Sequence, residues 1–224
     1  MKVSDQIRQS IESAIACGEL LPGDTVDDVA LTKTYQVSRT PVREALLQLQ
    51  VQGILISTPR GGSMVAKISL QQLLSLWELL AELEGIAVRL ACERMSDDEL
   101  SLLLKHHQQS KKVVDNDDVK GWQEANFQFH ELIYAGARNP FLRQDVLRIR
   151  FRTGIYRRHA FGALGQIKSS YQQHEHIVSA VMQRNAASAC AYMMDHMRPG
   201  RDAKSLNDFI MSLPQELMGI PDPL

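Results

Sequence analysis

Cysteine is scarce in this chain: Cys17, Cys92 and Cys190 are the three present, odd in number, widely spaced and without a C-x-x-C pair. That is no disulfide framework. They read as buried thiols in a reducing compartment, and a cytoplasmic protein is expected. Long apolar runs are missing too. Even LWELLAELEGIAVRLA is interrupted by Glu78, Glu82, Glu84 and Arg89, short of the roughly 18 residues a membrane helix needs, so no membrane partner is expected. The N-terminal stretch is amphipathic and carries acids, unlike a signal peptide. No repeat or low-complexity tract is visible. With 44% hydrophobic and 23% charged residues, disorder and fibrous repeats are excluded, and 224 residues suit a small domain plus a larger one. A strong net charge is the last absence. The formal value is −1, which by itself points to no nucleic acid. It conceals a local asymmetry, however. Residues 1–31 sum to −4, whereas residues 32–67 sum to +4, with Lys33, Arg39, Arg43, Arg60 and Lys67 against Glu44 alone. A neutral chain with one basic half can still present a basic face; on charge counting alone an ordinary solvated surface is the favoured alternative.

The first 67 residues carry the signals of a winged helix-turn-helix. Val3, Ile7, Ile11, Ala14 and Ile15 recur at helical spacing, Gly18 ends that helix, and Leu21-Pro22-Gly23-Asp24 is turn chemistry. A short helix is predicted over residues 26–34 and a tight connection over 35–37. Ser38 is placed to cap the next helix, and Pro41 falls in its first turn, where a missing N–H costs nothing. Val42, Ala45, Leu46 and Leu49 make its inward stripe. Residues 54–57 and 64–66 read as short strands around a hairpin tip, Thr58-Pro59-Arg60-Gly61-Gly62-Ser63. Two helices, a tight turn and a β-hairpin form the shape that reads a DNA major groove. Lys33, Ser38 and Thr40 suit phosphate oxygens, Arg39 and Arg43 can donate bidentately to guanine, and Gly61 and Gly62 let the tip approach DNA with Arg60 beside them.

These residues carry a resemblance. IESAIACGELLPGDTV, VSRTPVREALLQLQVQGIL and PRGGSMV, in that order and spacing, resemble the DNA-binding domain of the GntR family of bacterial transcription regulators over residues 4–67. The resemblance implies that Arg39 and Arg43 contact an operator and that the wing glycines lie against it. One local departure is Ala30-Leu31, where family members often have Leu-Ala.

From residue 68 to 224 the composition turns to long helical patterns, and an antiparallel α-helical bundle is predicted, making the chain mostly α. Helices are expected over residues 70–95, from the Ser96-Asp97-Asp98-Glu99 capping box onward, and over about 118–137, 141–161, 169–184, 186–198 and 203–213. The tail PDPL should fray. Among the histidines, His106, His107 and His159 read as surface residues. His130 lies one turn after Asn126 on one helix face. His174 and His196 are 22 residues apart, about 33 Å along an unbroken helix, with Asn185 midway in an Arg-Asn sequence that suits a turn. If the chain reverses there, both reach one level of the bundle. Three imidazoles converging on a core suit a divalent cation; buried structural histidines are the alternative.

The pattern NFQFHELIYAGARNPFL followed by HEHIVSAV and AYMMDH resembles the effector-binding domain of the FadR-like branch, with an all-helical FCD-type domain, over residues 70–215. Many members of that branch bind a metal through an Asp and three histidines. The resemblance maps this set onto Asn126, His130, His174 and His196, with zinc or nickel the expected cofactor; an amide replaces the acid. His176 rivals His174, and the phase of Ile177, Ala180 and Val181 favours His174. Where the branch often has an effector-binding arginine, this chain has Leu80. Residues 138–168 hold eight cations against Asp145, a net +7, and Arg150 and Arg157 are expected to turn inward and clamp a carboxylate.

The function expected is a metabolite-responsive repressor of a metabolic operon, a homodimer on double-stranded operator DNA with a small organic acid effector, and no enzyme. Two rivals stand beside it: a metal-dependent hydrolase, and a DNA-binding protein with a purely structural metal. Against the hydrolase, no general base is identifiable beside the histidines. The nearest acid in sequence, Glu131, projects about 100° from His130 on a helix.

Overall fold

The computed structural model describes residues 1–59, 61–164, 167–198 and 206–220, with side chains throughout except at 158–164, 206 and 207. Two units result. One comprises Met1–Leu73 with the described part of Pro214–Leu224, the other Leu74–Leu213.

In the first unit, α1 (Val3–Cys17) buries Ile7, Ile11 and Ile15, a strict four-residue repeat, against α3 (Arg39–Val51), which buries Val42, Ala45, Leu46 and Leu49. Gly18 closes α1 at φ +87°, a conformation only glycine takes cheaply. Asp24 then stitches the turn, its carboxylate accepting from Leu21 N–H at 2.8 Å. The chain next forms β1 (Thr25–Val26), a strand in place of the helix start predicted at residue 26. A two-residue strand shows no alternation, so only its partner reveals it. α2 (Asp28–Tyr35) begins later, capped by Asp27, which accepts from Val29 and Ala30 N–H. Ser38 stands at the N-cap of α3, but its side chain makes no capping bond. β2 (Leu55–Ser57) and β3 (Ser63–Val65) complete an antiparallel sheet of order β1-β3-β2. The segment after Pro214 returns to this unit: Ile68 bridges Met218, and Lys67 donates to the Glu216 carbonyl at 2.7 Å.

The second unit stacks α4 (Leu70–Arg94, from Leu74), α5 (Asp97–Asp115), α6 (Val119–Gly136), α7 (Pro140–Leu164), α8 (Ile167–Met182) and α9 (Ala186–Met197), followed by α10 (Leu206–Met211). α7 runs through Gly162, which was expected to break it. Short connections make successive helices antiparallel. The capping box at Ser96 and Glu99 forms as read from sequence. The corner after α8 turns at Arg184 (φ +52°) and Asn185, whose side-chain oxygen Oδ1 accepts from Ser188 N–H. Arg184 also donates to the Cys92 and Met95 carbonyls, satisfying acceptors that the end of α4 leaves open. α9 comes close to α4 because residue 85 is glycine: a Cβ there would lie 2.8 Å from Met194 Cγ. Trp122, Phe129, Leu103, Ile133, Tyr156, Ile177 and Met193 fill the core.

Two further expectations fail, for the cysteines and for one histidine. Cys17 is exposed and Cys190 only half-buried; Cys92 alone is a buried thiol. His107 is buried, not a surface residue, and stacks on Tyr171 with centroids 4.3 Å apart. The residues around it are polar in sequence, but His107 falls on the inward stripe of α5, Leu100, Leu103, His107, Ser110 and Val114, at spacings of three and four. The His159 side chain lies outside the described residues, as do Pro199-Gly200 and the PDPL tail.

Candidate functional site

Three helices of the second unit each turn one histidine to a common point. On α6, Phe129, His130, Ile133 and Tyr134 form the buried stripe. On α8, His174 shares its face with Ile177, Val178 and Val181. On α9, His196 lies between Met193 and Met197, and the reversal at Asn185 brings it to the level of His174. One ring nitrogen from each lies within 4.8 Å of the others. Ring centroids are 5.5 Å apart for His130–His174 and His130–His196, and 4.7 Å for His174–His196. His176, the rival in sequence, is exposed beside Tyr192. Asn126 is half-buried one turn before His130.

Hydrogen bonds orient the rings. His130 Nδ1 lies 3.0 Å from Glu84 Oε2, and His196 Nδ1 lies 2.6 Å from Gln173 Oε1. A carboxylate or amide oxygen only accepts, so both rings carry their proton on Nδ1 and present the Nε2 lone pair. His130 Nε2 is buried without a hydrogen-bond partner among the described residues. His174 is clamped flat against Phe129, centroids 3.8 Å apart and planes 10° from parallel, and its Nε2 faces His196 Nε2 at 3.2 Å. A buried, unpartnered ring nitrogen beside two others is the donor set a divalent cation takes. The residues therefore fit one, and no acid stands among them.

Burial holds all three rings neutral. It pushes His130 down to about 4 from an ordinary 6.5, against the opposing pull of Glu84. His174 and His196 are driven well down, first by burial and then by the neighbouring imidazoles, any one of which resists the protonation of the next. The unfolded chain takes up the proton first, so the neutral His130 ring contributes fully above about pH 6.5, and its contribution is lost as pH falls towards 4. Urea unfolding of chelator-treated protein from about pH 7.5 to about pH 4.5 is expected to show this decline, shallower in His130→Gln. Identical slopes for both proteins would remove His130 as its source.

Glu84 is the acid that sequence reasoning missed. It projects from α4, is fully buried, and accepts from Tyr134 OH, from Arg150 Nη1 and from His130 Nδ1. Burial alone would raise its pKa; the pull of His130 and the opposite charge of Arg150, with the hydrogen bonds from His130 and Tyr134, keep its carboxyl ionised. It lies on the Nδ1 side of His130, away from the converging Nε2 atoms, so it is no general base for a group held there. Glu131, expected to be the nearest acid, pairs instead with Arg143 at 2.6 Å. Arg150 does turn inward, but its charge is taken by Glu84 and it also donates to Tyr134 OH at 2.8 Å. Arg157 has no acid paired with it among the described residues. Burial and the charge of Arg150 push its pKa down to about 10, and its own charge bears on His130 and His196. Leu80 is fully buried apolar filling.

The first unit carries the second candidate surface. Lys33, Ser38, Arg39, Thr40 and Arg43 are all exposed, on the end of α2 and the first turns of α3. The wing tip is tied by Thr58, whose hydroxyl accepts from Gly62 N–H at 3.0 Å. Gly61 adopts φ +84° with open space around its α-carbon, and Gly62 is exposed beside it. Arg60 lies outside the described residues.

A winged helix-turn-helix head joined to a helical bundle with an inward histidine cluster defines a class, the DNA-binding transcription regulators that carry a ligand domain. The bacterial regulatory proteins of the gntR family match over residues 3–65, and the FCD domain matches over residues 75–199. The Nta operon transcriptional regulator of Aminobacter aminovorans is 31% identical over 180 residues, covering 79% of this chain and 82% of that one. The transcriptional repressor GlaR of Escherichia coli K12 is 29% identical over 196 residues, covering 84% and 89%. The solved structure of E. coli McbR/YncC shares the fold, with a TM-score of 0.74 at 22% identity over 88% of this chain and 94% of that one. The protein belongs to the gntR family, in the division with an FCD domain, and is a DNA-binding transcription regulator. No helix among the described residues is long and apolar enough to cross a membrane.

Proposed function

We propose that the protein is a repressor of a metabolic operon, released from its operator by a small organic acid bound beside a divalent cation. The observation that carries this reading is the convergence of three imidazoles on one point, two of them buried and His196 half-buried, with an arginine nearby that has no acid paired with it among the described residues. His130, His174 and His196 hold the cation, zinc or nickel, and the side-chain oxygen of Asn126 adds a neutral ligand. Such a cation offers an open position to a carboxylate. Arg157 is the guanidinium free to complete that anion's binding, since Arg150 is neutralised by Glu84. In the head, Arg39 and Arg43 read bases, while Lys33, Ser38, Thr40 and the wing residues Arg60, Gly61 and Gly62 hold phosphates. A homodimer presents two heads to a pseudo-palindromic site, and the effector acts by favouring one spacing of the heads over another. One relative's own name, repressor, agrees with the sign of regulation.

The test is a gel shift on an operator fragment selected from random duplexes, titrated with a panel of small mono-, di- and tricarboxylates on cation-loaded protein. Release by at least one acid is expected. Arg157→Gln should keep DNA and cation binding but need about tenfold or more of that acid, the loss of one charge-assisted contact. DNA affinity indifferent to every acid sinks the effector reading and leaves a structural cation. Turnover of ester or amide substrates by the loaded protein would instead favour a hydrolase.

A further inference from the structure

We propose that Glu84 is the positioning residue of the cation site and supplies, from behind His130, the negative charge that Asn126 does not. This rests on the reading of the histidines as cation ligands. Among the described residues Glu84 is the only acid that is fully buried. It stands on a helix face otherwise filled by Leu80, Ala87, Val88 and Ala91, all at 0% exposure. A carboxylate in such a place is costly unless its charge and lone pairs are matched. Both oxygens are matched, and differently. Oε1 accepts from Tyr134 and Arg150, which anchor it to α6 and α7. Oε2 is turned to His130 Nδ1 at 3.0 Å.

That division of labour sets the chemistry of His130. Accepting at Nδ1 fixes the proton there, frees Nε2 for a cation, and makes the ring a stronger donor. The charge argument points the same way. With a divalent cation, Arg150 and Arg157 gathered near three neutral rings and a neutral Asn126, Glu84 is the one compensating anion in the buried set. Gln173 orients His196 in the same manner, but without charge. A carboxylate ligand at residue 126 would carry the anion in direct contact with the cation; here it is carried one ring further out.

Either residue replaced alone would leave the other buried without its partner, so the two are replaced together. Zinc affinity is measured by chelator competition on the full chain for wild type, Glu84→Gln with Arg150→Met, and that pair with Asn126→Asp. The pair should bind zinc about 10–100-fold more weakly than wild type, and Asn126→Asp should recover about tenfold or more. Equal affinity of the pair and a zinc-binding wild type overturns the role of Glu84 and leaves the histidine site standing. A wild type that takes up no zinc overturns both. A readout free of any variant is the tautomer of His130 in cation-free wild type, from long-range nitrogen–proton correlation. Nδ1–H is expected, and Nε2–H overturns the proposal.

Discussion

Replacing His174 with alanine is expected to strip the protein of its cation, whereas replacing His176 should leave it loaded. The two residues are neighbours in sequence and opposites in place: His174 is 1% exposed and stacked on Phe129, while His176 faces solvent. A structural zinc contributes about 10–16 kcal/mol over four ligands, so losing one costs on the order of 3 kcal/mol, more than about 100-fold in affinity. Because His130, His174 and His196 come from three helices, a cation joining them would also staple the bundle. Ligand at about 1,000 times its Kd adds about 4 kcal/mol to the folded state, about 10 °C in melting temperature for a chain of this size. Elemental analysis of the purified variants and calorimetry with and without chelator make the check. A His174→Ala protein with wild-type metal content, or a wild type with no thermal response to zinc, nickel or manganese, would return the three rings to a structural or direct effector-binding role.

The second large effect lies in the other unit. Arg43→Ala should lose the preference for operator over random duplex while keeping its fold, because Arg43 is exposed and its removal opens no cavity. A bidentate arginine–guanine contact is worth about 1–3 kcal/mol of discrimination, so the ratio of specific to non-specific affinity should fall about 10–100-fold. Lys33→Ala should differ in kind. Losing a phosphate contact weakens both duplexes alike and reduces the salt slope by about one. Fluorescence anisotropy on the two duplexes at several salt concentrations separates them. An unchanged ratio in Arg43→Ala would mean that this side chain reads no base.

Much of the DNA-binding head was legible because its signals are local. The repeat of Ile7, Ile11 and Ile15, the glycine at the end of α1 and the proline in the first turn of α3 each act through their own backbone or the next turn. β1 was not, since its two residues become a strand only when Ser63 and Met64 lie beside them. Ser38 shows the converse: the residue type and position suited a cap, yet the hydroxyl makes no such bond.

The histidine cluster was legible to the same depth. The meeting of His174 and His196 followed from equal arc lengths on either side of Asn185, a property of helix rise and one corner. His130 on a third helix joined them through a resemblance, and its depth in the core agrees with the stripe on α6. Composition, periodicity and capping chemistry thus pointed to the two-part organisation and most of the helices, and together with the resemblance to the residues that could hold DNA or a cation. Only the tertiary structure decided how charge is distributed around the cluster. Glu84 lies 46 positions before His130 and Arg150 lies 20 after it, and in sequence the first looks like any helix-surface acid and the second like one of many arginines. Their pairing with each other, the lack of an acid paired with Arg157 among the described residues and the burial of His107 depend on which helix faces turn inward together. That depends on packing over the whole bundle, where the cost of burying one charge is met only by another arriving from a distant part of the chain.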